Sequence, residues 1–267
     1  MECRSVIHRL AMVACAVGRR SLETDDLGIW LNPCTKAGTE QASYEGCKTV
    51  REAIREKLNR IRTPKPTTKK KAAIITVSIF AFGILLGCFS KWLDNLALDN
   101  AVWWHRLFES LDLGNFFSDL AIWLLAALII AVFSHSVQRA ALNVFCFFAG
   151  MCLAYHTYTV FFSGFDPMSY MMRWYAITLL SPIPATLCWY AKGAGVVPLI
   201  LDIGIIAAFS LSCFAIGLFY VSGKGILYLF VFAGAAAVLY RDPKQSVLSL
   251  LIGFSLSFLF SPFWPFH

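Results

Sequence analysis

Seven long apolar segments follow one another after residue 71, and they constrain the fold more than any other feature of the chain. A helix needs about 20 apolar residues to cross the hydrocarbon of a bilayer. The chain is 58% hydrophobic and 15% charged, which is more apolar and less charged than soluble domains. The sequence therefore predicts an all-α fold, a polytopic helical membrane bundle of about seven transmembrane helices over residues 72–267. The segments cover about residues 72–90, 116–134, 140–163, 169–190, 195–220, 225–240 and 246–263, of which the sixth is short.

Basic residues between these segments predict the orientation, because Lys and Arg concentrate on the cytoplasmic side of membrane proteins. With the N-terminus inside, most of them fall on the inner flanks. These hold Arg60, Arg62, Lys65, Lys69, Lys70, Lys71, Arg139, Lys192, Arg241 and Lys244, whereas the outer flanks hold Lys91, Arg106, Arg173 and Lys224. We therefore expect a multipass cell-membrane protein with a cytoplasmic N-terminus and with His267 outside.

Residues 1–71 are predicted to form a cytoplasmic N-terminal region. Residues 1–48 are typical of a short helix or tail followed by a loop; their start also loosely resembles a signal peptide or lipobox, interrupted by His8 and Arg9. Residues 49–62 place Val50, Ile54, Leu58 and Ile61 at helical spacing among basic residues, which predicts a basic amphipathic helix. Such a helix either lies on anionic headgroups or is solvated in the cytoplasm.

The longest loop between the apolar segments, residues 91–115, alternates Trp and Leu with acids. Trp favours the headgroup layer of a bilayer. This amphipathic outer loop is predicted to form one or two short helices that either anchor in the outer leaflet or cap the outer mouth of the bundle.

Ionisable groups inside apolar segments are costly in hydrocarbon, so they normally face a bundle interior and mark functional sites. Three of the four such groups, Asp119, His156 and Arg173, converge on the predicted outer half, among aromatic residues of the kind that line ligand pockets. The fourth, Asp202, lies seven residues from the inner end of the fifth segment. The predicted ligand-binding residues are His156, Arg173, Asp119, Tyr155, Tyr158 and Trp174. Two alternatives stay open, in which Arg173 extends to the outer interface and His156 hydrogen-bonds a neighbouring helix.

Two further motifs concern helix shape and packing. Pro182 and Pro184 lie in the middle of the fourth segment, where proline removes backbone donors and predicts a kink. Gly83 and Gly87 form a GxxxG motif, which lets two helices approach closely. This packing could serve the chain itself or a partner subunit.

Recognisable catalytic motifs are missing from the sequence, which has no HExxH, GxSxG, Walker A or GxGxxG pattern. No cofactor, metal or nucleic acid is predicted to bind. The preferred hypothesis is binding or transport of a small-molecule ligand in the lipid bilayer. The alternatives are a membrane scaffold or regulatory subunit acting through helix contacts with a membrane partner subunit, and an intramembrane enzyme using His156 and Asp119 as acid and base.

Several stretches from Gly83 to Lys244, including GILLGCFSKWLDNLALDNAVWWHR and LAYHTYTVFFSGFDPMSYMMRWY, resemble an uncharacterised family of small bacterial multipass membrane proteins. That resemblance implies no activity. The chain is more distantly similar to the substrate-binding subunits of energy-coupling-factor transporters, which implies a small helical bundle with an outward-facing ligand site. Gly83 and Gly87 fit that pattern, whereas the seventh segment and the N-terminal region are additional to it.

Overall fold

A computed structural model of the chain describes residues 52–96, 102–217 and 220–264. The described residues are almost entirely helical, which confirms the all-α prediction. Four of the described helical stretches are long and apolar enough to cross a membrane, and two helices of 14 residues are apolar but shorter. The four long stretches are Lys69–Asp94, Val137–Ser163, Val196–Cys213 and Pro243–Phe263.

The helices follow one another with short connections. In chain order they are α1 (residues 52–61), α2 (Lys69–Asp94), α3 (Trp103–Ser110), α4 (Leu113–Ser118), α5 (Leu120–Phe133), α6 (Val137–Tyr158), a π-helical turn (Thr159–Ser163), α7 (Met168–Leu180), α8 (Pro182–Ala191), α9 (Val196–Cys213), strands β1 (Phe214–Ile216) and β2 (Val221–Gly223), α10 (Ile226–Leu239), α11 (Pro243–Phe260) and a 3-10 turn (Ser261–Phe263). Some predictions lie outside the described residues, namely those for residues 1–48, the start of helix 49–62, positions 97–101 and His267.

Close packing of α2 on α6 uses the glycines of the GxxxG motif. A Cβ atom added to Gly83 would lie 2.2 Å from the carbonyl oxygen of Phe147, and one added to Gly87 would lie 2.5 Å from that of Met151. Gly150 on α6 faces α2 in the same way, because its Cβ would meet the Phe80 carbonyl oxygen at 2.5 Å. The small residues therefore join two helices of one chain, so they are not a free surface for a partner subunit.

Two of the predicted segments are interrupted where a side chain or a proline ends the helix, and the second break lies at the prolines for which a kink is predicted. In segment 116–134 the helix breaks at Asp119, whose carboxylate accepts a hydrogen bond from the Leu120 amide at 2.6 Å and starts α5. In segment 169–190 the helix breaks at Ser181, immediately before Pro182, and α8 starts with proline in its first turn. Proline suits that position because its missing N–H is not needed there.

The fifth segment, 195–220, was expected to be one helix, and this expectation is wrong for its last residues. Helix α9 ends at Cys213, and Phe214–Ile216 pairs antiparallel with Val221–Gly223. The Gly217 amide donates to the Tyr220 carbonyl oxygen at 2.9 Å, which holds the connection between the strands. Glycine weakens a helix by about 1 kcal/mol relative to alanine, so residues 217, 223 and 225 favour the turn despite apolar neighbours.

The apolar core has two parts that meet at α5. One lies where α5, α9 and α10 pack, around Leu128, Ile206 and Val231. The other lies where α5, α6 and α8 pack, around the buried rings of Phe147 and Trp189. Helix α11 packs mainly on α9.

Candidate functional site

A helical hairpin formed by α6, the turn at residues 164–167 and α7 carries the most distinctive polar pair. Gly164 adopts φ = 73°, a conformation that glycine reaches without strain. The turn brings His156 opposite Tyr175, with the imidazole Nδ1 and the tyrosine hydroxyl 2.7 Å apart. The other ring nitrogen, Nε2, lies 3.7 Å from a carboxylate oxygen of Asp166. The predicted residue His156 is thus held from both sides by groups on one hairpin.

A groove of about 430 Å³ runs between α6 and α7, with the His156–Tyr175 pair at one end. On its floor the Cys152 thiol and the Thr178 hydroxyl are 3.3 Å apart, and that hydroxyl donates to the Trp174 carbonyl oxygen at 2.8 Å. The remaining walls are largely aliphatic or aromatic. The lining residues are Phe145, Ala149, Cys152, Leu153, His156, Thr157, Tyr175, Thr178 and Leu179.

A second, much smaller cavity lies on the other side of α6 and contains two predicted site residues, Tyr155 and Trp174. Its volume is about 20 Å³, which is room for a single water molecule. The lining is Ser90, Phe117, Trp123, Met151, Tyr155, Tyr170, Met171 and Trp174. Such a space is too small for a ligand, so these rings act as packing between α2, α4, α5, α6 and α7.

Tyr155 belongs to a polar group at the end of α2. Its hydroxyl donates to Asp94 at 2.8 Å, and Ser118 donates to the other oxygen of that carboxylate at 3.2 Å. The buried Lys91 ammonium lies 3.9 Å from Asp94 and 5.2 Å from the centre of the Tyr155 ring. These contacts join α2, α4 and α6 at the predicted outer end.

Asp119 forms a different contact group. Its carboxylate accepts from the Lys224 ammonium at 3.0 Å, and both side chains are about one fifth exposed. Lys224 also lies 5.7 Å from the centre of the Tyr228 ring. Asp119 therefore ties the start of α5 to the segment between β2 and α10.

Arg173 and Tyr158, the two other predicted site residues, lie outside the groove lining. Arg173 is exposed, and its guanidinium sits 5.8 Å from the centre of the Tyr170 ring. The Tyr158 ring packs 4.7 Å from that of Phe162 in the π-helical turn. Among the described contacts, none joins His156, Arg173 and Asp119 to one another, so the predicted cluster is divided into separate groups.

At the opposite end of the bundle, Arg62 inserts its side chain between two helix ends. Its guanidinium donates to the Trp189 carbonyl oxygen at 2.5 Å and to that of Val132 at 2.8 Å, and it lies 4.6 Å from the centre of the Trp189 ring. The last carbonyls of a helix lack internal partners and carry partial negative charge. Arg62 therefore caps α5 and α8 together. Burial lowers the pKa of the Arg62 guanidinium.

Lys192 and Arg241 lie with Arg62 at this end of the bundle. The Lys192 ammonium donates to the carbonyl oxygens of Val238 and Tyr240, both at 2.6 Å, and so caps α10. Burial lowers the pKa of Lys192. Arg241 binds the Asp202 carboxylate at 2.5 Å and also donates to the Gly193 carbonyl oxygen. The second oxygen of the Asp202 side chain, which is 5% exposed, has no partner among the described residues.

Sequence reasoning included His156 but did not select its partner Tyr175. A signal was present, because His156 lies eight residues before Gly164 and Tyr175 eight residues after Pro167. In an antiparallel helical hairpin, residues at equal distances from the turn lie at about the same height along the two helices. The remaining groove residues carry no such signal.

No match to the chain is found among protein-family models, curated proteins or solved structures. Within residues 52–96, 102–217 and 220–264, no group of three or more His, Cys, Asp or Glu side chains could hold a metal ion. Function is therefore inferred from the geometry alone.

Proposed function

We propose that this chain is a multipass cell-membrane protein with seven crossings and a cytoplasmic N-terminus. The four long stretches, the short apolar helices α5 and α10, and the α7–α8 pair would supply the crossings. The cations at one end support this orientation, since Arg62 and Lys192 bind the carbonyls where α5, α8 and α10 finish. Basic residues favour the cytoplasmic side.

Thiol labelling of intact cells tests the orientation. A cysteine introduced at the exposed Glu109 should react with a membrane-impermeant maleimide, whereas one at the exposed Lys70 should react only after the cells are opened. The reverse pattern would contradict the proposed orientation. Labelling of both positions in intact cells would contradict a single orientation.

The function that the geometry supports best is binding, or binding and transport, of a small molecule at the α6–α7 groove. The groove itself is the observation that carries this proposal. Its volume of about 430 Å³ lies within the range of ligand pockets, about 300–1,000 Å³. It combines apolar walls with a few polar groups at one end, which is the usual composition of a site that binds and orients a ligand.

The two alternative functions have less support from the contacts. Gly83 and Gly87 pack against α6 within the chain, so these two residues give the scaffold hypothesis no support. The described contacts join His156 to Tyr175 and Asp166, and Asp119 to Lys224, so they assemble no acid–base pair of His156 and Asp119.

A retained molecule would test the binding proposal directly. The full-length protein is purified in mild detergent and denatured, and aqueous and organic extracts are analysed by mass spectrometry. We expect a small molecule in one of the extracts whose amount falls in H156A and in Y175F. The control is H135A, which removes a histidine at the other end of the bundle. An amount that is unchanged in H156A and in Y175F contradicts the proposal.

A further inference from the structure

The walls of the α6–α7 groove indicate where its occupant comes from. Leu153 and Leu179 form its rims, and their side chains are 56% and 72% exposed. In a bundle that crosses a bilayer, apolar side chains this exposed face lipid chains rather than water. The groove is therefore open sideways to the hydrocarbon, and a molecule dissolved in the membrane can reach it without passing through the bundle.

The length of the groove matches one leaflet. It extends along α6 from Phe145 to Thr157, which corresponds to about 18 Å at 1.5 Å per residue. Half of a bilayer's hydrocarbon is about 15 Å thick. An extended hydrocarbon chain that lies in the groove would thus run from the middle of the bilayer to the outer interface, parallel to the lipid chains beside it.

Polar groups that could bind a head group are concentrated at the His156 end. Deeper in the groove, the thiol of Cys152 and the hydroxyl of Thr178 contact each other, and Thr178 donates to a backbone carbonyl. These groups are already satisfied, so a ligand gains little by placing polar atoms there. At the end of the groove, the Tyr175 hydroxyl and the His156 Nδ1 bind each other, which leaves the second hydrogen-bonding position of the hydroxyl and the Nε2 atom of His156 for a ligand.

The charges at this end disfavour an anionic head group. The Asp166 carboxylate lies 3.7 Å from His156 Nε2, so a negative charge already stands beside the group that would bind the head group. Arg173 is exposed and contacts Tyr170, and no described contact brings its guanidinium to His156 or Tyr175, whereas Asp166 lies beside His156. A head group with hydroxyls and no charge fits these partners best.

We propose that the α6–α7 groove binds a single-chain amphiphile with an uncharged, hydroxyl-bearing head group, which enters sideways from the outer leaflet. This inference rests on the proposed function, because it names the class of ligand for the same groove. The hydrocarbon chain lies against Phe145, Ala149 and Leu153, and the head group binds His156 and Tyr175.

Photocrosslinking in proteoliposomes tests this inference on the full-length protein. The probe is a monoacylglycerol with a diazirine in its acyl chain, and crosslinked peptides are mapped by mass spectrometry. We expect labelling of residues 145–157 and 175–179, with competition by unlabelled monoolein. A diazirine fatty acid of equal chain length serves as the anionic comparison. It should label at least about fivefold less, because its carboxylate donates no hydrogen bond and stands near that of Asp166, and the loss of one hydrogen bond is worth about 1 kcal/mol.

A matched pair of substitutions separates the groove from the general lipid surface. L153W fills the groove and should reduce crosslinking at least about fivefold, because an indole occupies the space of the probe's chain. L142W is the control, since Leu142 is an exposed leucine of α6 outside the groove lining. If L153W does not fold, the test is whether unlabelled monoolein reduces crosslinking of the probe to residues 145–157 and 175–179 of the unaltered protein.

Crosslinking that is equal in L153W and L142W, or equal for the fatty acid and the monoacylglycerol, would overturn the inference. The two proposals can be told apart by a third outcome. If the protein retains a water-soluble molecule in a His156-dependent amount and the probe does not crosslink to the groove, the amphiphile inference is wrong and the proposed binding function stands. If nothing is retained and the groove is not crosslinked, both are wrong.

Discussion

Replacing Gly83 with alanine tests whether the bundle depends on the close approach of α2 and α6. The added Cβ would lie 2.2 Å from the Phe147 carbonyl oxygen, 3.1 Å from the carbonyl carbon and 3.2 Å from the Met151 amide nitrogen. These neighbours are backbone atoms, so a change of side-chain rotamer cannot relieve the clash. Helix α2 would have to move by about 0.8 Å to reach the 3.0 Å below which Cβ contacts are essentially never seen.

Two opposing effects determine how much the stability of G83A changes. Overpacking of a tight contact costs about 1–3 kcal/mol, whereas alanine favours a helix over glycine by about 1 kcal/mol. The net loss of stability for G83A should therefore lie within about 0–2 kcal/mol, and in the upper part of that range because the added Cβ meets backbone atoms that cannot rotate away. Gly204 on α9 is the matched control, since its added Cβ would meet nothing within 4 Å. G204A should be neutral or more stable by up to about 1 kcal/mol.

The assay is equilibrium unfolding in mixed micelles, followed by circular dichroism and tryptophan fluorescence. We expect the G83A transition at lower denaturant and the G204A transition at equal or higher denaturant than that of the unaltered protein. A G83A protein as stable as the unaltered one would refute the α2–α6 packing. Equal losses in both variants would show that the effect is not specific to the contact.

The polar contacts of Arg62 and of the Asp202–Arg241 pair give two further predictions in the same unfolding assay. R62A should cost about 2 kcal/mol of stability, because two charge-assisted hydrogen bonds to helix ends are lost. The control R60A breaks an exposed pair with Glu56 and should cost less than about 0.5 kcal/mol. Equal costs would contradict the capping role of Arg62. D202A should cost about 3–5 kcal/mol of stability because it leaves the Arg241 charge without its carboxylate. The double variant D202A/R241A should cost less than the sum of the two single variants. Additive losses would contradict an interaction between Asp202 and Arg241.

The apolar segments could be predicted because span length and lack of charge are local properties of the sequence. Segments 72–90 and 140–163 correspond to the described stretches Lys69–Asp94 and Val137–Ser163 within four residues at each end. The strand pair after Cys213 could not be predicted this way. Phe214, Ala215 and Ile216 are as apolar as the helix before them, so hydropathy alone does not separate strand from helix.

The candidate site was only partly predictable, since its contacts join residues far apart in the chain. His156 was selected because a histidine within an apolar segment is unusual. Asp119 was assigned to the same cluster, although its cation, Lys224, lies 105 residues further along. Depth along a span can be read from the sequence, but the neighbouring helix that a side chain faces depends on how the helices pack. For that reason the predicted cluster of six residues is divided among several contact groups.

The capping role of Arg62 has a consequence for the assembly of the bundle during synthesis. Its two acceptors, the carbonyls of Val132 and Trp189, belong to residues made 70 and 127 positions later. Arg62 therefore cannot make both hydrogen bonds until the ribosome has passed Trp189, near the end of α8. Until then the contact of Arg62 that joins the ends of α5 and α8 is incomplete. These two helix ends are therefore held together only late in biogenesis.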